Sequence, residues 1–322
     1  MENSVLLAGA EGGPRSRWRV LGASVTGAMH TRLGLPNQDA LYWEAEPDSG
    51  LPLAVAVSDG HGSARSFRSA LGAQLAVNAA ASALGDLLPL PLDNLSAIKR
   101  ATEEWLPQSV ARLWQSRARE HLAAHPFDEE ERARLDREGA ASRAAIEANP
   151  LLAYGATVLG ALVAEPYIVL LQLGDGDILS VSDQGEVFRP SWPRDTRLFA
   201  NETTSLCARD AWRDVQVDFR ALSGSPPALI LLSSDGYANS FASADGFEQI
   251  GADLLALIRS EGLNAVRGHL TSWLEEASRA GSGDDITLAI VCRMDAALRQ
   301  APDLDRGQAP DAERAMSAEG GL

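Results

Sequence analysis

Residues 53–62 of this 322-residue chain have the sequence LAVAVSDGHG, and this stretch carries much of the information about the fold. The run at 53–57 is apolar and has the length of a buried β-strand, and it ends at the acidic turn Asp59-Gly60. A second run, at 228–232, ends in the same way at Asp235. A carboxylate beside a core is unfavourable unless it is paired or bound to a cation. Repeated aspartates at strand ends therefore indicate a cation site.

Other segments predict further strands and several helices. Strand-length apolar runs occur at 40–43, 156–163, 167–173 and 286–292, and 174–188 predicts a hairpin that turns at 183–185. Three amphipathic stripes predict helices: Phe67, Leu71 and Leu75; Phe247, Ile250, Leu254, Leu257 and Ile258; Leu263, Val266, Leu270, Trp273 and Leu274. Strands and helices cluster rather than alternate, which favours separate layers of each over a Rossmann-type sheet.

The chain divides into three parts. Residues 1–19 are interpreted as an N-terminal extension, 20–294 as one catalytic domain, and 295–322 as a tail whose composition predicts disorder. Within the domain, about 95–148 is predicted to be a helical insertion, with Asp128 and Glu131 spaced as a capping box. Its charged second half is interpreted as a solvated face, with a docking surface as the alternative.

Composition and charge exclude several classes of function. The chain is 45% hydrophobic, as in globular proteins, and its net charge of −16 argues against nucleic acid or an anionic membrane as partner. No apolar run is long enough to span a membrane, and residues 1–10 do not resemble a signal peptide. Cys207 and Cys292 are interpreted as two buried thiols rather than a disulfide. We therefore expect a cytoplasmic protein.

The type of ligand indicates which metal is expected. Carboxylates recur at strand ends: Asp39, Asp59, Asp175, Asp235 and the pair Asp284-Asp285. Oxygen ligands suit Mg²⁺ or Mn²⁺, and the single histidine in these motifs, His61, argues against zinc. A calcium loop starting at Asp175 is excluded, because Leu179 and Ser180 stand where a ligand and a glycine are required.

Six motifs in a fixed order resemble one known family. They are Asn37-Gln38-Asp39-Ala40, Ser58-Asp59-Gly60-His61-Gly62, Tyr154-Gly155-Ala156-Thr157, Gly174-Asp175, Ser234-Asp235-Gly236 and Gly283-Asp284-Asp285-Ile286-Thr287. The series is similar to that of the metal-dependent protein phosphatase 2C family, in particular its bacterial branch, and it extends from about Gly22 to Val291.

The resemblance implies an α+β fold, a central antiparallel β-sandwich flanked by helices on both faces (αββα). It implies that Asp59 bridges two Mn²⁺ or Mg²⁺ ions, that Asp235 and Asp284 complete one site, and that Asp39 and the Gly60 carbonyl hold the other. Asp175 resembles the residue that binds a third, weaker ion. His61 is then a general acid, and a metal-activated water attacks phosphoserine or phosphothreonine in a protein substrate, opposing a serine/threonine kinase.

Three positions depart from the family pattern. Gln38 replaces a frequent glutamate beside the second ion, and Asn239 replaces a frequent aspartate after the Asp235 motif. Gly34 stands where an arginine often grips the substrate phosphate, so Arg32 or His30 is expected to take that role. The alternatives are an inactive phosphoprotein-binding relative, a small-molecule phosphoesterase, and a scaffold that uses the helical insertion.

Overall fold

The computed structural model describes residues 17–47, 49–192 and 204–298, whose strands form two antiparallel sheets. The first sheet has the order β1-β10-β9-β6-β7 and the second β2-β3-β4-β5-β8. The strands are β1 (Trp18–Val25), β2 (Ala40–Ala45), β3 (Leu53–Ser58), β4 (Val158–Ala164), β5 (Tyr167–Leu173), β6 (Asp177–Val181), β7 (Val187–Phe188), β8 (Gln216–Ala221), β9 (Leu229–Ser233) and β10 (Ile286–Arg293). The predicted hairpin is present, since β6 pairs with β7 across the turn.

Helices cover the outer faces of both sheets. They are α1 (Ala28–Leu33), α2 (Ser69–Gly85), α3 (Leu95–Glu104), α4 (Leu106–Ala124), α5 (Glu129–Glu138), α6 (Ala140–Ala148), α7 (Asp235–Ala238), α8 (Ala244–Glu261), α9 (Leu263–Ala280) and α10 (Met294–Ala297). The apolar stripes of α8 and α9 pack on the first sheet, and the segment from α2 to α6 covers the second. The predicted αββα sandwich is confirmed.

A third apolar core fills the space between the sheets. Val55 and Leu170 of the second sheet meet Leu232 and Val291 of the first, and each of these side chains is buried. Every residue of β4 is buried, because this strand has the inter-sheet core on one face and helices on the other. Burial on both faces explains why the central strands are continuous apolar runs instead of alternating patterns.

Helix α2 packs on the core with the predicted stripe and, more deeply, with small residues beside it. Leu71 and Leu75 are half-buried against the core. The fully buried residues are mostly small: Gly72, Ala73, Ala76, Ala79, Ala80 and Ala83, together with Val77 and Leu84. Small side chains allow the helix to approach the sheet closely. The backbone carbonyl of Gly72 also accepts a hydrogen bond from Trp114 Nε1 in α4, at 2.9 Å.

Residues 95–148 are helical, as predicted, and their two halves differ. In the first half, Ile98, Leu106 and Trp114 are fully buried and extend the core over α2. In the second half, α5 and α6 bury one residue each, which agrees with a solvated face. The capping box of Asp128 and Glu131 at the start of α5 is present.

Two strands were not predicted, β1 and β8. The pairing of β1 with β10 begins at Trp18, which is buried. Packed structure therefore includes the last two residues of the expected N-terminal extension. At the other end, Ala296 and Ala297 are buried, so the chain remains packed beyond residue 294. The rest of the predicted extension and tail lies outside the described residues. Both cysteines are free and buried, and no described helix has the length and hydropathy of a membrane span.

Candidate metal centre

The pairing of β2 with β3 brings two predicted ligands together. Ala40 lies opposite Ser58 in an antiparallel pair, so Asp39 and Asp59 follow side by side just outside it. Thr157, the residue before β4, makes two hydrogen bonds to the backbone of Asp59. Its N–H donates to the Asp59 carbonyl at 2.8 Å, and its hydroxyl accepts from the Asp59 N–H at 3.0 Å.

The pairing of β9 with β10 places two more ligands at the same end of the sandwich. The N–H of Ser234 donates to the carbonyl of Thr287 at 3.0 Å, so Asp235 and Asp284 flank this strand pair. The Ser234 hydroxyl donates to Oδ2 of Asp39 at 2.7 Å, which links the two sheets directly. Four aspartates that are remote in sequence thus share one cleft.

Asp175 lies in the connection that crosses from the second sheet to the first. This connection runs between the end of β5 and Asp177, which pairs with Ser233 of β9. Burial raises the pKa of Asp235, and the negative charges of Asp175 and Asp284 raise it further. Asn239 donates from Nδ2 to Oδ2 of Asp235 at 3.0 Å, so the amide that replaces the frequent aspartate is bound to a candidate ligand.

The carboxylates repel one another. Burial raises the pKa of Asp59 well above its usual range, and the charges of Asp39 and Asp235 add to this. The pKa of Asp39 is raised by burial and by Asp285, against hydrogen bonds from Ser234 and Thr287 that favour the charged form. Asp235 also raises the pKa of Asp59, which shows that the two carboxyl groups lie close together. A cation in the cleft would remove the repulsion.

The adjacent residues Asp284 and Asp285 have different environments. Asp285 is 3% exposed and its oxygens accept from the N–H of Gly27 at 2.7 Å and of Gln38 at 2.6 Å. His30 Nδ1 lies 2.9 Å from the same carboxylate, and this hydrogen bond raises the pKa of the imidazole. The side chain of Asp284 is half exposed to the cleft, with Oδ1 3.8 Å from His30 Nε2. Asp285 therefore holds Gly27, His30 and Gln38 in place, whereas the side chain of Asp284 remains available as a ligand.

Among the described residues, His30, Asp284 and Asp285 form the one set of three potential metal-ligating side chains whose ligand atoms lie within 4.8 Å of one another. The hydrogen bonds to both Asp285 oxygens leave this set little capacity for an ion. We favour Asp39, Asp59, Asp235 and Asp284 as the ligand set, because burial raises the pKa of the first three and the charges of Asp39, Asp235 and Asp284 raise that of Asp59 further.

Gly60 occupies a position that only glycine fits. Its N–H donates to the Gln38 carbonyl at 3.1 Å, and a Cβ on Gly60 would lie 2.6 Å from that oxygen and 2.7 Å from the Ser69 carbonyl. The side-chain oxygen of Gln38 is buried and has no hydrogen-bond partner among the described residues. An unpartnered acceptor beside the carboxylates fits a site that takes up water along with a hard cation.

His61 is held by the motif that begins at Tyr154. Its N–H donates to the Gly155 carbonyl at 3.0 Å, and Gly155 lies so close to the imidazole that a Cβ there would clash with the ring. Burial lowers the pKa of His61; Asp175 opposes this, and the positive charge of Arg65 adds to it. The ring is therefore close to both Asp175 and Arg65.

A cluster of four side chains lies next to the residues that hold His61. We call it the Arg68 latch, and it consists of Arg68, His121, Glu131 and Tyr154. Arg68 forms two hydrogen bonds with Glu131 of α5, at 2.6 and 2.7 Å, and a third with the Tyr154 hydroxyl at 2.6 Å. His121 Nδ1 lies 2.9 Å from the same hydroxyl. The backbone N–H of Arg68 donates to the Ala153 carbonyl at 2.7 Å. The latch ties the helical segment to the residues that hold His61.

The candidate phosphate ligands, His30 and Arg32, both lie on α1. Arg32 is exposed on α1, a short helix beside the Asp284 turn, where the Met29 N–H donates to the Gly283 carbonyl at 2.8 Å. Gly34 ends α1 in a left-handed conformation with φ of 68°. The phosphate-binding roles of Arg32 and His30 remain predictions, as do the metal-binding roles of the aspartates and the Gly60 carbonyl.

Several residues that shape the centre were missed by the sequence argument. Ser234 and Thr157 lie within the quoted motifs, but the sequence alone suggests no role for them. Their hydrogen bonds to Asp39 and Asp59 explain their presence. Arg68 and Glu131 lie 63 residues apart, and no local pattern could have joined them. Arg65, four residues after His61, could have been noticed as a guanidinium close to the motif.

Comparison with known proteins identifies the family. A model of the protein phosphatase 2C family matches residues 26–275. No curated protein sequence matches the chain. Among solved structures, the serine/threonine phosphatase Stp1 from Staphylococcus aureus superposes with a TM-score of 0.55 at 13% identity, covering 91% of this chain and 99% of that one.

Two further structures are similar at the level of the fold. A bacterial serine phosphatase gives a TM-score of 0.54 at 15% identity, covering 85% of this chain and 97% of that one. PppA from Pseudomonas aeruginosa gives 0.51 at 18% identity, covering 86% and 98%. The family match spans most of the chain, the sandwich has the corresponding architecture, and the acidic motifs converge at one end of it. The chain therefore belongs to the protein phosphatase 2C family, the metal-dependent protein serine/threonine phosphatases.

Proposed function

We propose that the chain hydrolyses phosphoserine and phosphothreonine residues of a protein substrate with two divalent cations, Mg²⁺ or Mn²⁺, bound at the acidic end of the sandwich. The convergence of Asp39, Asp59 and Asp235, each with a raised pKa, carries this proposal. Asp175 is the candidate for a third, weaker ion. A serine/threonine kinase would supply the phosphorylated substrate.

The cations would supply Lewis-acid stabilisation of the phosphoryl oxygens and a water of lowered pKa. The residues of the chain provide the frame. Asp59 lies close to both Asp39 and Asp235, and these three carboxylates would hold the cations together with Asp284. Gln38 offers a buried acceptor oxygen that can orient a water in the cleft. Asp285 uses its own carboxylate to hold Gly27, His30 and Gln38 in place.

His61 is the proposed general acid for the departing seryl or threonyl oxygen. Its backbone is fixed to Gly155, and its ring lies beside Asp175 at the edge of the acidic centre. An alkoxide is a poor leaving group, so a positioned proton donor is worth about 10²- to 10⁴-fold in rate.

Phosphate anchoring would fall to Arg32 on α1, with His30 as the alternative. A guanidinium matches two phosphate oxygens, whereas His30 is already engaged with Asp285. Arg32→Ala should raise KM for phosphopeptides more than it lowers kcat, because ground-state binding is lost. An unchanged KM in Arg32→Ala, with a raised KM in Arg65→Ala, would transfer the role to Arg65.

The decisive experiment is phosphate release from phosphoserine and phosphothreonine peptides, with Mn²⁺ or Mg²⁺ and after chelation. Activity that requires the metal and is lost in Asp59→Asn supports the proposal. Release from an aryl phosphate but from no phosphopeptide would favour a small-molecule phosphoesterase. No release from any substrate, with phosphopeptide binding retained, would favour the inactive regulatory relative.

A further inference from the structure

A cavity of about 390 Å³ opens between the helical segment and residues 207–209. Its walls come from α4, from the end of α6 and from the short 3-10 helix Pro150–Tyr154. The floor is apolar and includes Leu151 and Cys207, and the rim carries Arg119 and Arg209. Burial raises the pKa of the Cys207 thiol, so the floor adds no negative charge.

The charge of this cavity is unusual for the chain. The protein has 44 acidic and 28 basic residues, yet among the described residues the charged side chains that line the cavity are both arginines. Arg119 makes a hydrogen bond to the neutral Gln115 at 3.3 Å. Neither arginine forms an ion pair with a carboxylate anywhere in residues 17–47, 49–192 and 204–298. Two exposed guanidinium groups are thus available to an anion.

The frame of the cavity is fixed by side-chain hydrogen bonds. Gln115 Nε2 donates to the Ala208 carbonyl at 2.9 Å, and Asn149 Nδ2 donates to the Cys207 carbonyl at 2.8 Å. The segment that carries Arg209 is therefore attached to the helices that carry Arg119. Both guanidinium groups project from an ordered frame rather than from a free loop.

The cavity lies close to the acidic centre. Ala156 pairs with Gly60 on one side, and its carbonyl accepts from the Leu206 N–H at 3.0 Å on the other. Two strand spacings of about 4.8 Å place the backbone of the cavity floor roughly 10 Å from that of Gly60. An extended peptide covers this distance in about three residues, at roughly 3.3 Å each. Arg65 is close to both regions, since its charge lowers the pKa of His61 and of Cys207.

We propose that the cavity binds an acidic side chain of the phosphoprotein substrate through Arg119 and Arg209, about three to five residues from the phosphorylated residue. The planar guanidinium fork suits a carboxylate. The inference rests on the proposed phosphatase function and adds a substrate class to it. The site attracts a local acidic segment, whereas the net charge of the chain repels acidic proteins in general.

The test compares phosphothreonine peptides that carry glutamate or glutamine at each of positions two to six on either side of the phosphorylated residue. For the wild type, kcat/KM should be about three- to tenfold higher for glutamate at one or two spacings, and salt should reduce this preference. The double variant R119Q/R209Q should lose the preference and keep its activity on an aryl phosphate. A matched control, R112Q/R267Q, also removes two exposed positive charges and should keep the preference.

Two results would overturn the inference: a wild type that does not distinguish glutamate from glutamine at any spacing, or a cavity variant that distinguishes them as well as the wild type does. Equal loss in the control variant would do so too, because net charge alone would then explain the effect. If the wild type hydrolysed no substrate, fluorescence anisotropy of the same labelled peptides would still compare the variants. A failure of the proposed function is therefore distinguishable from a failure of the cavity.

Discussion

Two polar clusters lie near the His61 loop, and their charges are arranged in opposite ways. In the acidic centre, formed by Asp39, Asp59, Asp235 and Asp284, burial raises the pKa of three of the carboxyl groups, and neighbouring negative charges raise it further. In the Arg68 latch, the guanidinium meets Glu131 and the Tyr154 hydroxyl at hydrogen-bond distance. Charged groups that are paired within the chain stabilise the fold. Like charges that the fold brings together without a counter-charge mark the place where a ligand binds.

The largest effect is expected from the acidic centre. Asp59→Asn should lower metal-dependent phosphatase activity by on the order of 10³-fold or more, because loss of a bridging ligand removes several kcal/mol of transition-state stabilisation. The free energy of unfolding of the metal-free protein should stay equal or rise, since one repulsive charge is gone. Steady-state kinetics and urea denaturation in a chelator measure the two quantities. Near-normal activity would exclude Asp59 as a ligand.

The second prediction concerns the histidine near both clusters. His61→Gln should slow phosphoserine hydrolysis by about 10²-fold and aryl phosphate hydrolysis much less, because an aryloxide needs little help from a proton. The ratio of the two kcat/KM values is the measurement. An equal loss on both substrates would show that His61 has only a structural role beside Gly155.

The third prediction tests how closely α2 supports the latch. A Cβ on Gly72 would overlap the Tyr154 carbonyl, so Gly72→Ala should lower the free energy of unfolding by about 1–3 kcal/mol, as overpacking usually does. On the same helix, Gly85 has nothing within 4 Å of such a Cβ. Gly85→Ala should be neutral or stabilising by up to about 1 kcal/mol. Equal effects in the two variants, measured by urea denaturation, would contradict the close approach.

The fourth prediction makes the same acid-to-amide change in the latch as in the metal centre. Glu131→Gln should lower the free energy of unfolding by about 1–2 kcal/mol, because a partly buried guanidinium loses its bidentate partner. Metal affinity should be unchanged. The control is Asp136→Asn, which breaks the exposed pair with Arg143 between α5 and α6 and should cost little. A drop in metal affinity in Glu131→Gln would show that the two clusters are not separate.

The smallest effect concerns pH. Burial lowers the pKa of His121, with the charges of His125 and Arg68 adding to the shift. A histidine whose folded pKa is lowered contributes stability above its unfolded pKa of 6.5, and this contribution is lost as the pH falls through the folded value. Unfolding free energies at pH 7.5 and 5.5 should therefore differ less in His121→Gln than in the wild type. His269→Gln, on the exposed side of α9, should behave as the wild type does.

The location of the centre could be predicted from short local patterns, whereas the sandwich fold was implied by the resemblance of the motif series to a known family. Strand-length apolar runs that end in Asp59 and Asp235 identify the strands and their polar ends without further information. The strands β1 and β8 escaped because Arg19 and the half-buried residues of β8 interrupt the apolar pattern. The most deeply buried residues of α2 were not predicted, because most of them are alanine and glycine, which carry a weak hydrophobic signal.

By itself the sequence determined the resemblance to the family and the acidic strand ends, because these follow from the order and spacing of motifs, and the resemblance in turn implied the sandwich. The tertiary structure alone decided which of two adjacent aspartates is buried. Asp285 meets Gly27, His30 and Gln38, which lie some 250 residues away, while Asp284 faces the cleft. It also decided that Arg68 meets Glu131 and that Arg119 and Arg209 share one cavity. Contacts between remote segments depend on how layers pack against each other, and a local pattern contains no information about that packing.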